Sequence, residues 1–387
     1  MLAALRRYGC AILPLDGPSS RLTRRQRVIA ALGPIFALAQ LAAAGTVLSR
    51  LARGRRRRPP LVARPLPPGT RVSVVVPARN EAERIEPCLL GLLADKGLHE
   101  VIVVDDGSTD GTADVAGRAG AAVFAAPPPP PGWVGKPWAL QCGLEAASGE
   151  VVVSVDADTR PRPGLAGALV EALGGADLVT AGTRFACDTA GERFLHPAML
   201  ATLVYRFGPQ DAYGARPPER LLVNGQCTAV RRQALLDAGG YAHASAHMTD
   251  DAAQARALAR LGWGVSFHDG GDLITVDMHD SAADTWREWG RSLGLPDVTS
   301  FPWKAADAAV VWLTLGLPLP RLLVGRAGTL DRLLLALRVI MGVPLARSYE
   351  RRGAAYWLSP IADPLAAARL TWSIVRPARR WRDRDYV

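Results

Sequence analysis

Cysteine is scarce. Cys10, Cys88, Cys142, Cys187 and Cys227 are odd in number, widely scattered and contain no C-x-x-C pair. Neither a zinc site nor a disulfide scaffold is indicated, and the usage fits a reducing compartment. No internal repeat stands out. No G-x-G-x-x-G follows the first strand-like run, which disfavours a Rossmann dehydrogenase. Lysine is also rare, so nearly all of the basic excess (46 Lys+Arg against 36 Asp+Glu, a formal charge of +10) is arginine. Such an excess suits nucleic acid or anionic lipid head groups. Its position favours lipid.

The 387 residues allow one large domain or two modest ones. Residues 1–27 form a basic segment without periodicity. Residues 28–48 are apolar apart from Gln40 and Thr46, about the length needed to span a bilayer. Arg50, Arg53 and Arg55 to Arg58 follow at once, which opposes export and favours a membrane anchor with the next domain cytoplasmic. Residues 49–70 read as a basic, Pro-rich linker too stiff and polar to pack. A catalytic domain is expected over 71–295, membrane-associated helices over 306–376 and a basic tail over 377–387. The apolar runs of the last third are short or interrupted by Pro, Arg or Asp, as in kinked or interfacial helices.

Within 71–295, Val72–Val76, Val101–Val104, Ala121–Phe124, Val151–Val155, Asp177–Ala181 and Gly264–Phe267 read as strands, alternating with helical spacings. That order predicts an α/β fold with a parallel sheet covered on both faces, in which ligands sit at the carboxyl ends of the strands. Two acidic groups fall there. Asp105-Asp106 follows one strand, and Asp156-Ala157-Asp158 follows another before an expected turn at Arg160-Pro161. Carboxylates at a strand tip suit a hard divalent cation completed by phosphate oxygens; a helix cap and a solvated loop are the plain alternatives. Lys136 stands at a helix start near those tips, facing an anion or solvent. His279, Trp286, Arg287, Trp289 and Arg291 look like one amphipathic helix.

Residues 72–291 carry, in order, Val76-Pro77-Ala78-Arg79-Asn80-Glu81, Val104-Asp105-Asp106-Gly107-Ser108-x-Asp110-x-Thr112, Gly132-Trp133-x-Gly135-Lys136, Asp156-Ala157-Asp158, Asn224-Gly225-Gln226 and Asp250-Asp251. As a set they resemble a family 2 glycosyltransferase of the GT-A fold, which implies a Rossmann-like mixed sheet with helices on both faces. Each motif is weak alone; six in order are specific. With the anchor and the ending Tyr356-Trp357-Leu358-Ser359-Pro360, the chain looks like the membrane-bound bacterial members associated with hopanoid or carotenoid glycosylation.

That resemblance implies roles. Pro77, Ala78, Arg79 and Glu81 wrap the nucleoside of a nucleotide-sugar, a UDP-sugar being favoured. Asp105 or Asp106 bonds base and ribose, Asp156 faces the ribose, and Asp158 holds Mg²⁺ or Mn²⁺ on the diphosphate. Lys136, Arg287 and Arg291 share the diphosphate charge. Asn224, Gly225, Gln226 and Asp250 sit at the sugar and acceptor. Asp251 is the general base, taking the proton of a lipid hydroxyl as it attacks with inversion. Asp250 is the alternative base, since the family usually has Glu-Asp there. Thr285-Trp286-Arg287-Glu288-Trp289 replaces the Gln-x-x-Arg-Trp of processive members, arguing for a single transfer. Membrane and lipid are the expected partners, not nucleic acid, at the cytoplasmic face of the inner membrane. The competing readings are a sugar-phosphate nucleotidyltransferase, which needs a Gly-rich loop where Pro77 to Glu81 stands, and a non-catalytic membrane scaffold.

Overall fold

A computed structural model describes residues 24–290 and 293–376, plus the backbone of 380–381 and 384–385; of 24–32 it describes backbone alone. The basic segment before residue 24, Arg291 and most of the basic tail therefore lie outside the described residues.

Among the described residues ten strands form two sheets, and Arg380–Trp381 pairs with Arg384–Asp385 in a separate two-stranded ribbon. The ten are β1 (Val72–Ala78), β2 (Glu100–Asp105), β3 (Ala122–Ala125), β4 (Val151–Val155), β5 (Thr159–Pro161), β6 (Leu178–Gly182), β7 (Arg184–Phe185), β8 (Cys227–Arg231), β9 (Val265–Asp269) and β10 (Ile274–Val276). The large sheet runs β3-β2-β1-β4-β8-β6-β9. β8 is antiparallel to both neighbours while the other pairings are parallel, so the sheet is mixed, as the GT-A resemblance implies, and β8 is the strand that departs from the parallel order.

The helices are α1 (Arg24–Ala52), α2 (Ile85–Leu93), α3 (Thr112–Ala119), α4 (Gly135–Ala146), α5 (Leu165–Ala172), α6 (Ala190–Phe207), α7 (Arg232–Asp237) and α8 (Asp250–Arg260), then a C-terminal set. Val74, Val76 and Val153 share one core with Leu89, Leu92 and Leu169 of α2 and α5. Val75, Val104 and Val152 share another with Leu140 and Leu144 of α4. Burial on both faces explains why these strands are runs of Val rather than alternating patterns.

A third core joins Val47 of α1 and Met199 and Tyr205 of α6 to Val311, Leu315, Leu345 and Leu370 of the C-terminal helices. Asp307, fully buried there, lies 3.2 Å from Arg50 and 2.9 Å from Arg220. Among the described residues two helices, Gly33–Arg56 and Phe301–Leu323, are long and apolar enough to cross a membrane. Ile35, Leu38, Leu41 and Leu48 are exposed on the first.

Several local expectations change. The Pro-rich stretch packs on the domain: the Leu61 amide donates to the Asp269 carbonyl (2.8 Å), and Leu61 and Leu66 rest on the core. An extended backbone supplies free amides at its non-Pro positions, and here the sheet edge uses them. The expected turn at Arg160-Pro161 is β5, which pairs with β10 and places Thr159 opposite Val276; Pro is tolerated on such a short edge strand. Trp286 to Trp289 do not continue one regular helix with His279. Ala282–Asp284 makes a single turn that widens into a π turn over Thr285–Trp289. The run 356–375 breaks at Pro360 into the Gly353–Trp357 and Asp363–Val375 helices.

Candidate active site

The loops after β1 and β2 are clasped together. Asn80 adopts a left-handed backbone (φ 53°), which asparagine tolerates better than most residues. Its amide donates to Ser108 Oγ (3.0 Å) and its Oδ1 accepts from the Thr109 amide (2.9 Å). The Glu81 amide donates to Thr112 Oγ1 (2.9 Å), and Arg79 Nη1 donates to the Asp106 carbonyl (2.5 Å). The result is a fixed rim over the tips of the parallel strands.

Opposite that rim, β4 ends beside the start of antiparallel β8, with Val155 paired to Cys227. This reversal brings Asn224-Gly225-Gln226 against Asp156, whose amide donates to the Gln226 carbonyl (3.0 Å). Thr183 joins the same network, donating to Gln226 Oε1 (2.7 Å) and accepting from Asn224 Nδ2 (3.2 Å).

The charged centre is Lys136 with three carboxylates. Lys136 lies in the first turn of α4, its side chain 18% exposed, with Nζ 2.7 Å from Asp156 Oδ1 and 2.8 Å from Oδ2. Burial alone would lower this ammonium; the charges of Asp156, Asp250 and Asp251 outweigh it and hold Lys136 above its ordinary value. Asp251, at the start of α8, accepts from the Gly225 amide on Oδ2 (3.0 Å) and the Ala252 amide on Oδ1 (2.7 Å). Burial still raises its carboxyl, against the pull of Lys136 and those amides. Asp250 is raised as well, to about 7: burial and the Asp251 and Asp156 charges outweigh Lys136. Such crowding of acids around one cation is the pattern expected where a proton or a charge must move.

One cavity of about 1400 Å³ collects these groups. Pro77, Ala78, Arg79, Glu81, Asp106, Lys136, Asp156, Asp158, Asn224, Gly225, Gln226, Asp250, Asp251 and Arg287 all line it. Asp105 does not: it ends β2 with Oδ1 accepting the Ser108 amide (3.2 Å), a turn-forming role, so of the two acids Asp106 faces the cavity. Arg287 reaches the wall while pairing with Asp284 and, at 3.7 Å, Glu288. Arg291 lies outside the described residues. Asp158 and His279 both line the cavity, and the Asp158 carbonyl accepts the Asp277 amide (3.1 Å), extending the β5–β10 ladder toward His279. Among the described residues no cluster of three or more His, Cys, Asp or Glu is arranged to hold a metal by itself. Beyond the acids the wall turns apolar, with Phe185, Leu200, Leu203, Met341, Pro344 and Leu345.

Three participants escaped the sequence reading. Thr183 is one. Arg84 also lines the cavity and pairs with Asp280 (2.7 Å). Asp297 accepts the amides of Met248 (2.8 Å) and Thr249 (3.1 Å), pinning the approach to α8, and despite burial is lowered to about 2 by the nearby His247 (3.6 Å) and its bonds from Thr249. No motif marks them, because each acts through a partner distant in sequence.

Residues 73–239 match the family described as glycosyl transferase family 2. An uncharacterised glycosyltransferase of Mycobacterium tuberculosis is 36% identical over 174 residues, 44% of this chain and 72% of that protein. The chain belongs to glycosyl transferase family 2. This family 2 glycosyltransferase is also similar to the 4,4'-diaponeurosporenoate glycosyltransferase of Staphylococcus haemolyticus, at 38% identity over 90 residues, 22% of this chain and 24% of that one. Among solved structures, a mannosyltransferase from Pyrobaculum calidifontis in complex with GDP-Man and Mn²⁺ aligns with a TM-score of 0.51 at 23% identity. The alignment covers 88% of this chain and 98% of that one. That likeness is one of fold.

Proposed function

We propose that this glycosyltransferase moves a single sugar, with inversion, from a nucleotide-sugar to a hydroxyl of a membrane lipid at the cytoplasmic face of the inner membrane. The observation that carries the reading is the cavity: one continuous wall runs from the β1 and β2 loops, past Lys136 and the three acids, into an apolar surface built by α6 and the C-terminal helices. A polar end suited to a nucleoside diphosphate and an apolar end suited to hydrocarbon need one substrate of each kind. The two helices long enough for a bilayer, and the likeness to a carotenoid glycosyltransferase, support a lipid acceptor. The mannosyltransferase of similar fold was solved with GDP-Man and Mn²⁺, which supports a nucleotide donor and a divalent ion; uracil is the base favoured by the motifs.

The roles follow the chemistry of each group. The Asn80–Ser108 and Glu81–Thr112 bonds hold the nucleoside rim, with Asp106 toward base or ribose. Asp156, fixed by Lys136, faces the ribose, and Lys136 places a positive charge where the diphosphate departs. Asp158 supplies a hard oxygen and His279 an imidazole on the same wall, a donor set that fits Mg²⁺ or Mn²⁺ once donor phosphates complete the shell. When bound, such an ion offsets the charge growing on the leaving diphosphate. Asp251 takes the proton from the acceptor hydroxyl.

Membranes carrying the protein, incubated with UDP- and GDP-sugars and followed by mass analysis of extracted lipids, test this directly. A lipid gaining one hexose-sized increment is the expected result; no sugar on any lipid refutes it. Chelation should stop transfer. Asp158→Ala should lower activity and make the remainder insensitive to added Mn²⁺, whereas a full Mn²⁺ response in that variant would reject Asp158 as ligand. Gly225 has no room for a side chain: a Cβ would lie 2.8 Å from Asp251 Cβ. Gly225→Ala is therefore expected to displace the base and cut kcat by roughly 10²-fold, with KM for the donor little changed. A fall in donor affinity alone would contradict this.

A further inference from the structure

Two arginines, the buried Arg369 and the exposed Arg376, line the apolar side of the cavity. Arg369, on the Asp363–Val375 helix, is 7% exposed, and its Nε and Nη2 donate to the carbonyls of Trp286 (2.8 Å) and Arg287 (3.4 Å). Gly290 makes room for it, since a Cβ there would lie 2.3 Å from Nε. Arg376, just past the same helix, lies over the Trp372 ring at 4.7 Å. Both line the cavity together with Trp372, Met341, Pro344 and Leu345. Among the described residues neither guanidinium has a carboxylate oxygen within 4.0 Å. The contrast is local: Arg287 on the same wall pairs with Asp284, Arg338 with Asp363 at 2.9 Å, and Arg220 with Asp307 at 2.9 Å.

Holding the Arg369 guanidinium out of water without a counter-charge is unfavourable, and two carbonyls use only two of its five N–H donors; the exposed Arg376 adds a second positive charge at the cavity end. The arrangement is completed by an anion arriving from the cavity. Its neighbours dictate the rest of that ligand, because the surface beyond the two arginines is hydrocarbon-like. Val339, Ile340, Val343 and Val375 are exposed on the outer faces of the same helices, which gives an apolar route to the site.

We propose that Arg369 and Arg376 bind the anionic group, phosphate or carboxylate, of an amphiphile whose chain lies along Met341, Pro344 and Leu345. The inference rests on the lipid-acceptor reading and narrows it: the acceptor lipid carries a negative charge besides its reactive hydroxyl. Charge complementarity selects this occupant over a neutral lipid, and the apolar wall selects it over a free phosphate.

The full chain in phosphatidylcholine nanodiscs provides the test, with dodecyl phosphate, dodecanol and inorganic phosphate as probes and the binding of UDP and GDP measured in parallel. Dodecyl phosphate should bind at least tenfold more tightly than either other probe. Arg376→Glu, at an exposed position that does not threaten folding, should weaken dodecyl phosphate at least tenfold and leave UDP affinity unchanged. Arg369→Gln should do the same in protein whose melting temperature is checked alongside. Equal binding of dodecanol would mean that hydrocarbon alone is recognised, and would overturn the proposal. Inorganic phosphate binding as tightly and being displaced by UDP would assign the arginines to the donor diphosphate and overturn it likewise. So would an unaltered Arg376→Glu. Failure of the wild-type chain to bind either UDP or GDP would instead sink the nucleotide-sugar reading, and the proposal with it.

Discussion

Asp251→Asn is expected to abolish sugar transfer, by about 10²- to 10⁴-fold, while UDP binding stays within about twofold of wild type. Asparagine keeps an oxygen for the Gly225 amide, so the β8 approach and the start of α8 should hold their shape. What it loses is a site for the acceptor proton. Both Asp251 oxygens are already oriented by backbone amides, from Gly225 and Ala252, which fixes the carboxylate without occupying its remaining lone pairs. Burial and neighbouring acids raise both α8 carboxyls, so what distinguishes Asp251 is position: the Gly225 and Ala252 amides hold both of its oxygens. Asp250→Asn should therefore cost much less than Asp251→Asn. Calorimetric UDP binding beside a transfer assay separates the cases: loss of UDP binding in Asp251→Asn, or a larger loss of transfer in Asp250→Asn, would reject the assignment.

The donor side of this site was legible because parallel strands announce their ends. A run of Val that must be buried on both faces cannot continue into Asp, so Asp105-Asp106 and Asp156-Ala157-Asp158 had to lie at strand tips, and parallel tips converge. Composition could not tell which acid of the first pair turns inward, since that depends on the Ser108 amide capturing Asp105. The small sheet was invisible: β5, β7 and β10 have two or three residues each, too few for any periodicity. The same limit hid Asp297 and Arg369, whose partners lie 48 and 83 residues away. The Pro-rich stretch misled for a different reason. Proline content forecasts an extended backbone correctly, but whether that backbone packs depends on a sheet edge with unpaired carbonyls, such as that of Asp269.

Lys136→Met should lower transfer by at least about 10²-fold and move the acid limb of the kcat/KM profile to higher pH by roughly one unit or more. The ammonium faces Asp156, Asp250 and Asp251 together, and it pulls both α8 carboxyls down against burial. Without it the same burial and mutual repulsion remain, so each acid ionises later, and a base that must be ionised works only at higher pH. Stability should follow the same logic. Asp250 is raised above its unfolded value, so its contribution is complete below about pH 4 and is lost as pH rises through about 7. Wild-type melting temperature should therefore decline across that window, and Lys136→Met should decline more steeply and to higher pH. Lys136→Arg keeps the charge in a different shape, and should restore the pH limb more fully than the rate, because the Asp156 contact at 2.7 Å was built for an ammonium. If the Lys136→Met profile superimposes on wild type while activity falls, the lysine acts on the departing diphosphate alone. The proton-accepting carboxylate would then have to owe its readiness to the Gly225 and Ala252 amides rather than to the cation across the cavity.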